Sequence, residues 1–583
     1  MLPVIGIDFG TTNSLCAWLD GERPTIIPNT RGSRSTPSVV ASTAKGEILV
    51  GESAKNQAYV NPENTISGIK RLLGSESVMQ MGGKSWRPVE IIALVLGSLK
   101  RDTEQHLGQT VERAVLTAPA HYSDRERRSL SEAGRLAGLD VIRIVNEPTA
   151  VALARAWETS LRVRDKVPIR AGPGAGKPSL VLVYDFGGGT FDVTVLSREG
   201  TDCRVLASRG DGRLGGADLD RELRRLAVAH FKAEGLDLEA DRFLSQQLAE
   251  AAERAKIELS EREEASIALA FAAAGGKILH PSFDLKRSDL EAIALPYIER
   301  SIDLVEKALR DAGVAVGDLD SLVLSGGSSR IPLVRRMLEE KLSLKPEGGV
   351  NPEEVVALGA AVWASLAAGQ GEAAERIRVR DVVSRTYGVE IDGGVFIPLI
   401  RKNSPVPSTH SRVFTTVVDD QDSVEIHVLQ GESRVAAEDV SLGRFLLAGI
   451  RSAKAGGPRI NVIFSIDESD MLHVTAEDLE SGAEQAISIV DFDRGTPDEG
   501  REELVRKVDV LAGRLDELGE GLSLERGLES EISDLRARVR LSIDAGDDSI
   551  RILKAELEGL VGELLARRAE ARSEARISLG VRK

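Results

Sequence analysis

The chain is poor in cysteine. Its 583 residues contain two, Cys16 and Cys203, too few for a disulfide framework, so a reducing compartment is the natural reading. Long apolar runs are missing as well: none reaches the ~18 residues of a membrane span. The N-terminus enters a strand directly, without the basic stretch and apolar core of a secretory leader. The sequence therefore reads as soluble and cytoplasmic, with no membrane partner. Excess positive charge is the third absence. Lys and Arg number 75 against 91 Asp and Glu, a formal net charge of −16, which argues on electrostatic grounds against a nucleic-acid partner. What is present is length and apolar content: several domains are expected, and 42% hydrophobic residues can build large cores.

Two glycine-rich segments are near copies of one design. The first is Ile5-Gly6-Ile7-Asp8-Phe9-Gly10-Thr11-Thr12-Asn13-Ser14 and the second Val183-Tyr184-Asp185-Phe186-Gly187-Gly188-Gly189-Thr190-Phe191-Asp192-Val193. Each reads as a hairpin whose tight turn leaves backbone N–H groups free. Glycine lets the backbone approach phosphate oxygens, and successive N–H groups form an anion-binding nest. The Asp at the strand end can hold Mg²⁺ through water. Either turn alone is more often a plain hairpin; two matched copies point to a duplicated domain with a nucleotide between its halves.

Residues 1–370 alternate strands and helices. Strands are expected at 114–117, 141–145 and 322–324, and helices at 123–139, 148–157, 218–259 and from Pro332. A basic, Pro- and Gly-bearing connector covers 160–178. Its Gly172-Pro173-Gly174-Ala175-Gly176-Lys177 imitates a P-loop, but the spacing is one residue short, Pro178 follows, and a strand comes next. From about Thr386 to Asp491, short β-prone runs such as 413–417, 424–428, 460–464 and 472–475 alternate with turn residues, indicating an antiparallel sandwich. From Pro497 the pattern is helical, with Leu553, Leu557, Leu560 and Leu564 on one seam.

These units, in this order, resemble the 70-kDa heat-shock chaperones of the bacterial DnaK type. The two glycine segments look like that family's phosphate signatures, and Val323-Leu324-Ser325-Gly326-Gly327-Ser328-Ser329-Arg330-Ile331-Pro332 resembles its adenosine signature. Asn146-Glu147-Pro148-Thr149-Ala150, Ala255-Lys256-Ile257-Glu258-Leu259-Ser260 and His427-Val428-Leu429-Gln430-Gly431-Glu432 are further matches. The resemblance implies an actin-like (duplicated ribonuclease-H-like) α/β ATPase domain at 1–372, a linker at 373–384, an antiparallel β-sandwich that binds peptide at 385–493, and an α-helical lid at 494–583. Phosphate turns alone would also admit sugar kinases and actin-like filament proteins; the sandwich and helical tail favour the chaperone.

The resemblance implies ATP or ADP with Mg²⁺, and K⁺ as a further ion. Asp8, Asp185 and Asp192 match the carboxylates that organise Mg²⁺ and its waters. Gly10, Thr11, Thr12, Asn13, Gly187, Gly188, Gly189 and Thr190 match the phosphate contacts. Lys70 matches the catalytic lysine, where a cation can stabilise charge on the γ-phosphate and place the attacking water, and Glu147 matches the carboxylate opposite it. Glu253, Lys256 and Ser260 match the adenosine side from one lobe; Gly326, Gly327, Ser328 and Arg330 match it from the other. Pro119, Arg127, Arg143 and Asp381 match the coupling route, with an Arg143–Asp381 contact expected. Val389, Phe414, Gln421, Val424 and Ile426 match the channel for an extended peptide, and Ile391 falls beside them; taken singly, Phe414, Val424 and Ile426 each read as ordinary sandwich core.

The chain also departs from the family. Asp392 stands where the arch over the peptide is apolar, opposite Val417, which would favour basic clients; alternatively Asp392 turns to solvent beside Gly393-Gly394. The linker Ile377-Arg378-Val379-Arg380-Asp381 replaces leucines by alternating arginines. Arg198 and Arg204 dilute the acidic surface on which a J-domain co-chaperone docks, and the stretch from Gly74 to Trp86 is short where nucleotide-exchange factors bind. The reading is an ATP-dependent chaperone for extended segments of unfolded proteins, with both co-chaperones as candidate partners. The competing reading is a nucleotide-dependent scaffold with one client and little turnover.

Overall fold

The computed structural model describes residues 3–488 apart from 59, 165–177, 237, 239–241, 271, 275–276, 350, 370–377 and 483. The expected helical unit at 494–583, the P-loop mimic and the first part of the linker lie outside the described residues. Chain contacts divide into two compact units. Of the described residues, one comprises those up to Thr386 with Ile400–Ser411 and Ile463–His473; the other comprises Tyr387–Leu399, Arg412–Val462 and Val474–Ser488.

The first unit is built on two sheets of the same design. In one, the strand Val4–Phe9 pairs in parallel with Arg113–Ala118 and antiparallel with Asn13–Asp20; Asp140–Asn146 and Arg23–Ile27 extend the two sides. In the other, Ser179–Phe186 pairs in parallel with Ser321–Ser325 and antiparallel with Phe191–Glu199, followed by Asp202–Asp211. The two central strands are buried on both faces, which is why each reads as a nearly continuous apolar run. The helix Pro88–Leu107 packs Ile91, Ile92, Val95 and Leu96 beneath Ile5, Ile7 and Phe9. The helix Arg287–Ala312 packs Ala294, Ile298 and Ile302 against Leu182, Tyr184 and Phe186. A third core lies among the helices Glu147–Arg164 and Val355–Ala367 and strand residues of both sheets, including Val115, Val145, Val183 and Val323. Close approach there requires glycine: a Cβ at Gly359 would stand 1.9 Å from the Ala150 carbonyl oxygen.

Several local expectations change. The helix expected at 148–157 continues to Arg164, well into the presumed connector. Thr159 and Ser160 donate their hydroxyls back to the carbonyls of Arg155 and Trp157, which suits helical geometry. The helical stretch 218–259 is two helices, Gly216–Ala233 and Arg242–Glu261. Within the described part of the linker, the strand Arg378–Arg380 adds in parallel to the edge strand Asp202–Asp211, with Val379 opposite Cys203. The alternation noted in sequence thus forms an edge strand, and Arg380 reaches Asp202 at 3.3 Å.

Farther along, one four-stranded sheet orders Val395–Ile400, Tyr387–Ile391, Ser423–Gln430 and Val440–Ala448. Another orders Ser408–Phe414, Ile460–Ile466, Leu472–Asp478 and Glu484–Ser488. Strict alternation of burial along Ile460–Ile466 marks one covered face. The strand expected at 413–417 ends at Phe414, so Val417 lies in the following loop.

Candidate functional site

The two glycine turns line one cavity of about 890 Å³ within the first unit. Both are tight hairpins, with Phe9 opposite Ser14 and Phe186 opposite Phe191. Their carbonyls are tied back. Ser38 donates its hydroxyl to Gly10 at 2.7 Å and its N–H to Thr12 at 2.8 Å. In the second turn Gly216 N–H donates to Gly187 (3.0 Å), Ala217 N–H to Gly188 (2.8 Å) and the Arg71 guanidinium to Gly189 (2.9 Å). A trans peptide points its N–H opposite the preceding carbonyl. The amides of Thr11, Asn13, Gly188, Gly189 and Thr190 therefore turn away from these ties, and Ser38, Ala217 and Arg71 stand outside the cavity wall. The turns also interlock: a Cβ at Gly188 would lie 2.3 Å from Thr12 Oγ1, and one at Gly189 the same distance from Thr11 Oγ1.

At the cavity floor Lys70 donates to Glu147 at 2.6 Å, both side chains under a tenth exposed. Burial opposes the lysine's charge, but Glu147, Asp8 and Asp185 outweigh it and hold its pKa up. Burial, with Asp8 and Asp192 adding repulsion, pushes Glu147 up to about 7 despite Lys70. Asp185 is driven far above the usual carboxylate range by burial and by Glu147, Asp192 and Asp8. Asp8 is raised by burial, against the pull of Lys70 and the Thr117 hydroxyl at 2.9 Å. Lys70 thus faces three carboxylates, Glu147, Asp8 and Asp185, a donor set that fits a divalent cation. Among the described residues, no three Asp, Glu, His or Cys side chains group as direct ligands. Carboxylates so disposed suit a cation that keeps its water shell.

The cavity wall gathers Asp8, Gly10, Thr11, Thr12, Asn13, Lys70, Glu147, Asp185, Gly187, Gly188 and Thr190 with Glu253, Lys256, Ser260, Gly326, Gly327, Ser328 and Arg330. Two expected residues are not part of it. They are Gly189 and Asp192, the latter 1% exposed and meeting His121 Nδ1 at 3.1 Å. Several wall and support residues escaped the sequence reading. Arg71 bridges Gly189 and Asp218, whose carboxylate also caps Gly215 N–H. Lys256 is engaged by Asp220 at 2.7 Å, Glu253 by Lys55 at 3.2 Å, and Arg330 by Glu353 at 2.8 Å. Tyr122 donates to the Lys70 carbonyl at 3.2 Å.

The residues expected on the coupling route lie beside this floor. Pro119, buried, follows the strand Arg113–Ala118. Arg127, 1% exposed, donates to the Asn146 side-chain oxygen and pairs with Asp470 at 3.3 Å. Asn146 in turn donates to Asp381 at 2.9 Å, and Thr149 donates to the same carboxylate at 2.7 Å. The expected Arg143–Asp381 ion pair is not formed. Arg143 pairs instead with Glu468 at 2.6 Å, its guanidinium 4.0 Å from the Trp363 ring centre. Asn146 and Thr149, flanking Glu147, satisfy Asp381 in its place.

In the other unit the residues matched to a peptide channel divide by burial. Val389 and Ile426 are core. Phe414, Gln421 and Val424 are half-buried, and Gln421 donates to the Ser423 carbonyl at 2.7 Å. Ile391 is 36% and Val417 64% exposed. Asp392 is exposed in a turn with Gly393 and Gly394, both at positive φ.

Comparison with known proteins agrees along nearly the whole chain. The family model for Hsp70 protein matches residues 4–81 and 76–536. The chain is 41% identical over 567 residues to the chaperone protein DnaK of Thermotoga neapolitana, covering 96% of this chain and 92% of that protein. The same figures hold for the Thermotoga maritima protein of that name. That of Thermosipho africanus is 40% identical over 566 residues, covering 96% and 91%.

Proposed function

The chain belongs to the Hsp70 family, and from that premise we propose how its residues carry out the work. It is an ATPase and an ATP-dependent chaperone. The observation that carries the reading is the pair of interlocked glycine turns on one cavity, with Lys70 and Glu147 at its floor.

The amides of Thr11, Asn13, Gly188, Gly189 and Thr190 cradle the β- and γ-phosphates. Asp8, Asp185 and Asp192 would hold Mg²⁺ through water, and the ion would supply positive charge against the phosphates. Lys70, kept charged and aimed by Glu147, stabilises the negative charge that develops on the γ-phosphate and places the attacking water. Lys256 and Ser260 flank the nucleoside on one side, Gly326, Gly327, Ser328 and Arg330 on the other. ATP cleavage breaks the bond to the γ-phosphorus as water adds, giving ADP and phosphate.

In this reading residues 1–372 form the ATPase domain, 373–384 the linker, 385–493 the peptide-binding sandwich and 494–583 the lid. Extended peptide lies along Ile391, Phe414, Val417, Gln421 and Val424, over the core provided by Val389 and Ile426, with backbone hydrogen bonds giving affinity. Asn146 links the floor to the linker: it adjoins Glu147 and donates to Asp381. Coupling of this kind is reciprocal, so peptide should speed hydrolysis. The setting is cytoplasmic, and a J-domain protein and an exchange factor are the partners to test.

The test is steady-state ATP hydrolysis with and without a Leu-rich peptide, with Lys70→Ala as blank. Stimulation by peptide is expected. Turnover that depends on Lys70 but ignores peptide would replace this reading with the single-client scaffold.

A further inference from the structure

We propose that His121 is a positioning residue for ATP hydrolysis, setting the Asp192 carboxylate by a hydrogen bond from Nδ1 across a slot that two glycines leave open. The inference rests on the ATPase reading and adds a residue that no glycine, lysine or carboxylate motif points to.

Asp192 lies on the strand Phe191–Glu199, directly opposite Gly210 of Asp202–Asp211. The cross-strand position that would normally hold a side chain is empty, and the imidazole fills it. A Cβ at Gly210 would stand 2.4 Å from Asp192 Oδ1 and 2.5 Å from His121 Nδ1; one at Gly212 would stand 3.0 Å from Nε2. The ring is therefore seated over Gly210 and Gly212, with Nδ1 3.1 Å and 3.3 Å from the two Asp192 oxygens. Asp192 can only accept, so Nδ1 carries the hydrogen. The next residue grips the other side of the chemistry: Tyr122 donates to the Lys70 carbonyl at 3.2 Å, and its ring stands edge-on to the imidazole, centres 5.7 Å apart. The dipeptide His121-Tyr122 thus ties the carboxylate of one lobe to the lysine segment of the other. A carboxylate that organises a hydrated cation must be held at a fixed angle, and residues that orient such groups from behind are worth roughly 10–100-fold.

Two substitutions separate orientation from bulk. His121→Asn keeps an N–H donor near the place of Nδ1; His121→Leu keeps volume and removes the donor. The readouts are kcat and KM for ATP, and the Mg²⁺ concentration at half-maximal binding of methylanthraniloyl-labelled ADP. For His121→Leu the expected result is about a tenfold fall in kcat and about a tenfold higher Mg²⁺ requirement, with KM changed little. His121→Asn should recover most of both. Gly210→Ala, which wedges a methyl group between the ring and the carboxylate, should reproduce the defect with His121 in place. Unchanged Mg²⁺ dependence in His121→Leu, or equal damage in Leu and Asn, overturns the proposal. If the Leu variant does not fold by thermal melt, wild-type Mg²⁺ dependence in Gly210→Ala overturns it. Wild-type protein that binds the labelled ADP but does not hydrolyse ATP would sink the ATPase reading instead, leaving the binding comparison to be judged by itself.

Discussion

Lys70, Glu147, Asp185 and Asp192 are each less than a tenth exposed, whereas Val417 and Val418 are 64% and 61% exposed. The nucleotide region buries charge, and the loop after Phe414 exposes branched apolar side chains. Each inversion is costly for the isolated chain. Buried like charges raise one another's pKa, and exposed valines forgo about 0.8 kcal/mol for each CH₂ that burial would remove from water. The costs are tolerated for opposite reasons. In the cleft, every charge is committed to geometry: amides tied back by their carbonyls, and a lysine aimed by a carboxylate at 2.6 Å. In the loop the backbone is tied, with Gly456 N–H donating to Thr416 and Asp420 N–H to Ala453, while the two valine side chains stay in water.

The comparison breaks first at Lys70. If buried charge in the cleft performs catalysis, Lys70→Ala should lower kcat by about 10²–10³-fold. Labelled nucleotide should still bind, because the amide cradle does not depend on the lysine. A variant with kcat within threefold of wild type would show that the floor is structural only.

Asp470 tests whether buried charge outside the cleft behaves alike. It is 4% exposed, sits at a φ of 60°, and pairs with Arg127. Burial raises its pKa from 3.8 to about 7, against the pull of Arg127, with Asp381 and Asp124 adding repulsion. The folded state therefore holds this proton more tightly than the unfolded chain does. The stabilising contribution is full below about pH 4 and is lost as pH rises through 7. Urea titrations between pH 4 and 7 should show the wild type losing up to about 4 kcal/mol of stability relative to Asp470→Asn. Parallel curves would mean that Arg127 keeps Asp470 ionised throughout.

Val417→Asp attacks the other side of the contrast. As a loop valine with no fixed packing, it should cost under about 0.5 kcal/mol of stability. It should weaken binding of an apolar peptide by about tenfold, the loss of one side chain's contact. A fall in stability with peptide affinity unchanged would assign Val417 to packing.

The two regions were also unequally legible in sequence. The phosphate turns announce themselves because Asp, Gly and Thr must follow one another within ten residues, and both central strands are apolar throughout. Even the order of strands and helices follows from that local grammar. His121 did not show, because its partner Asp192 is 71 positions away and its slot is made by glycines of a third segment. The Arg143–Asp381 expectation failed for a similar reason. Asp381 is satisfied by Asn146 and Thr149, some 230 positions distant, neither of them charged. The continuation of the helix Glu147–Arg164 was missed because its last turns are polar and basic, a composition shared by connectors. Burial sorted the peptide-side residues in a way that sequence left open: Ile426 belongs to the core, Phe414 and Val424 stand between.

Asp392 carries the smallest expected effect and sharpens the contrast most. It is a carboxylate at an exposed turn, beside Ile391 at 36% exposure. A single exposed charge interacting with a charged ligand contributes about 0.2–1 kcal/mol and is screened by salt. Asp392→Asn should therefore reduce the preference for an Arg-flanked Leu-rich peptide over an uncharged one by about threefold, leaving affinity for the uncharged peptide alone. The preference should also shrink in wild-type protein as salt is raised. If the two peptides bind wild type equally at low salt, Asp392 serves only the turn with Gly393 and Gly394, and selectivity on this unit comes from shape and apolar area without charge.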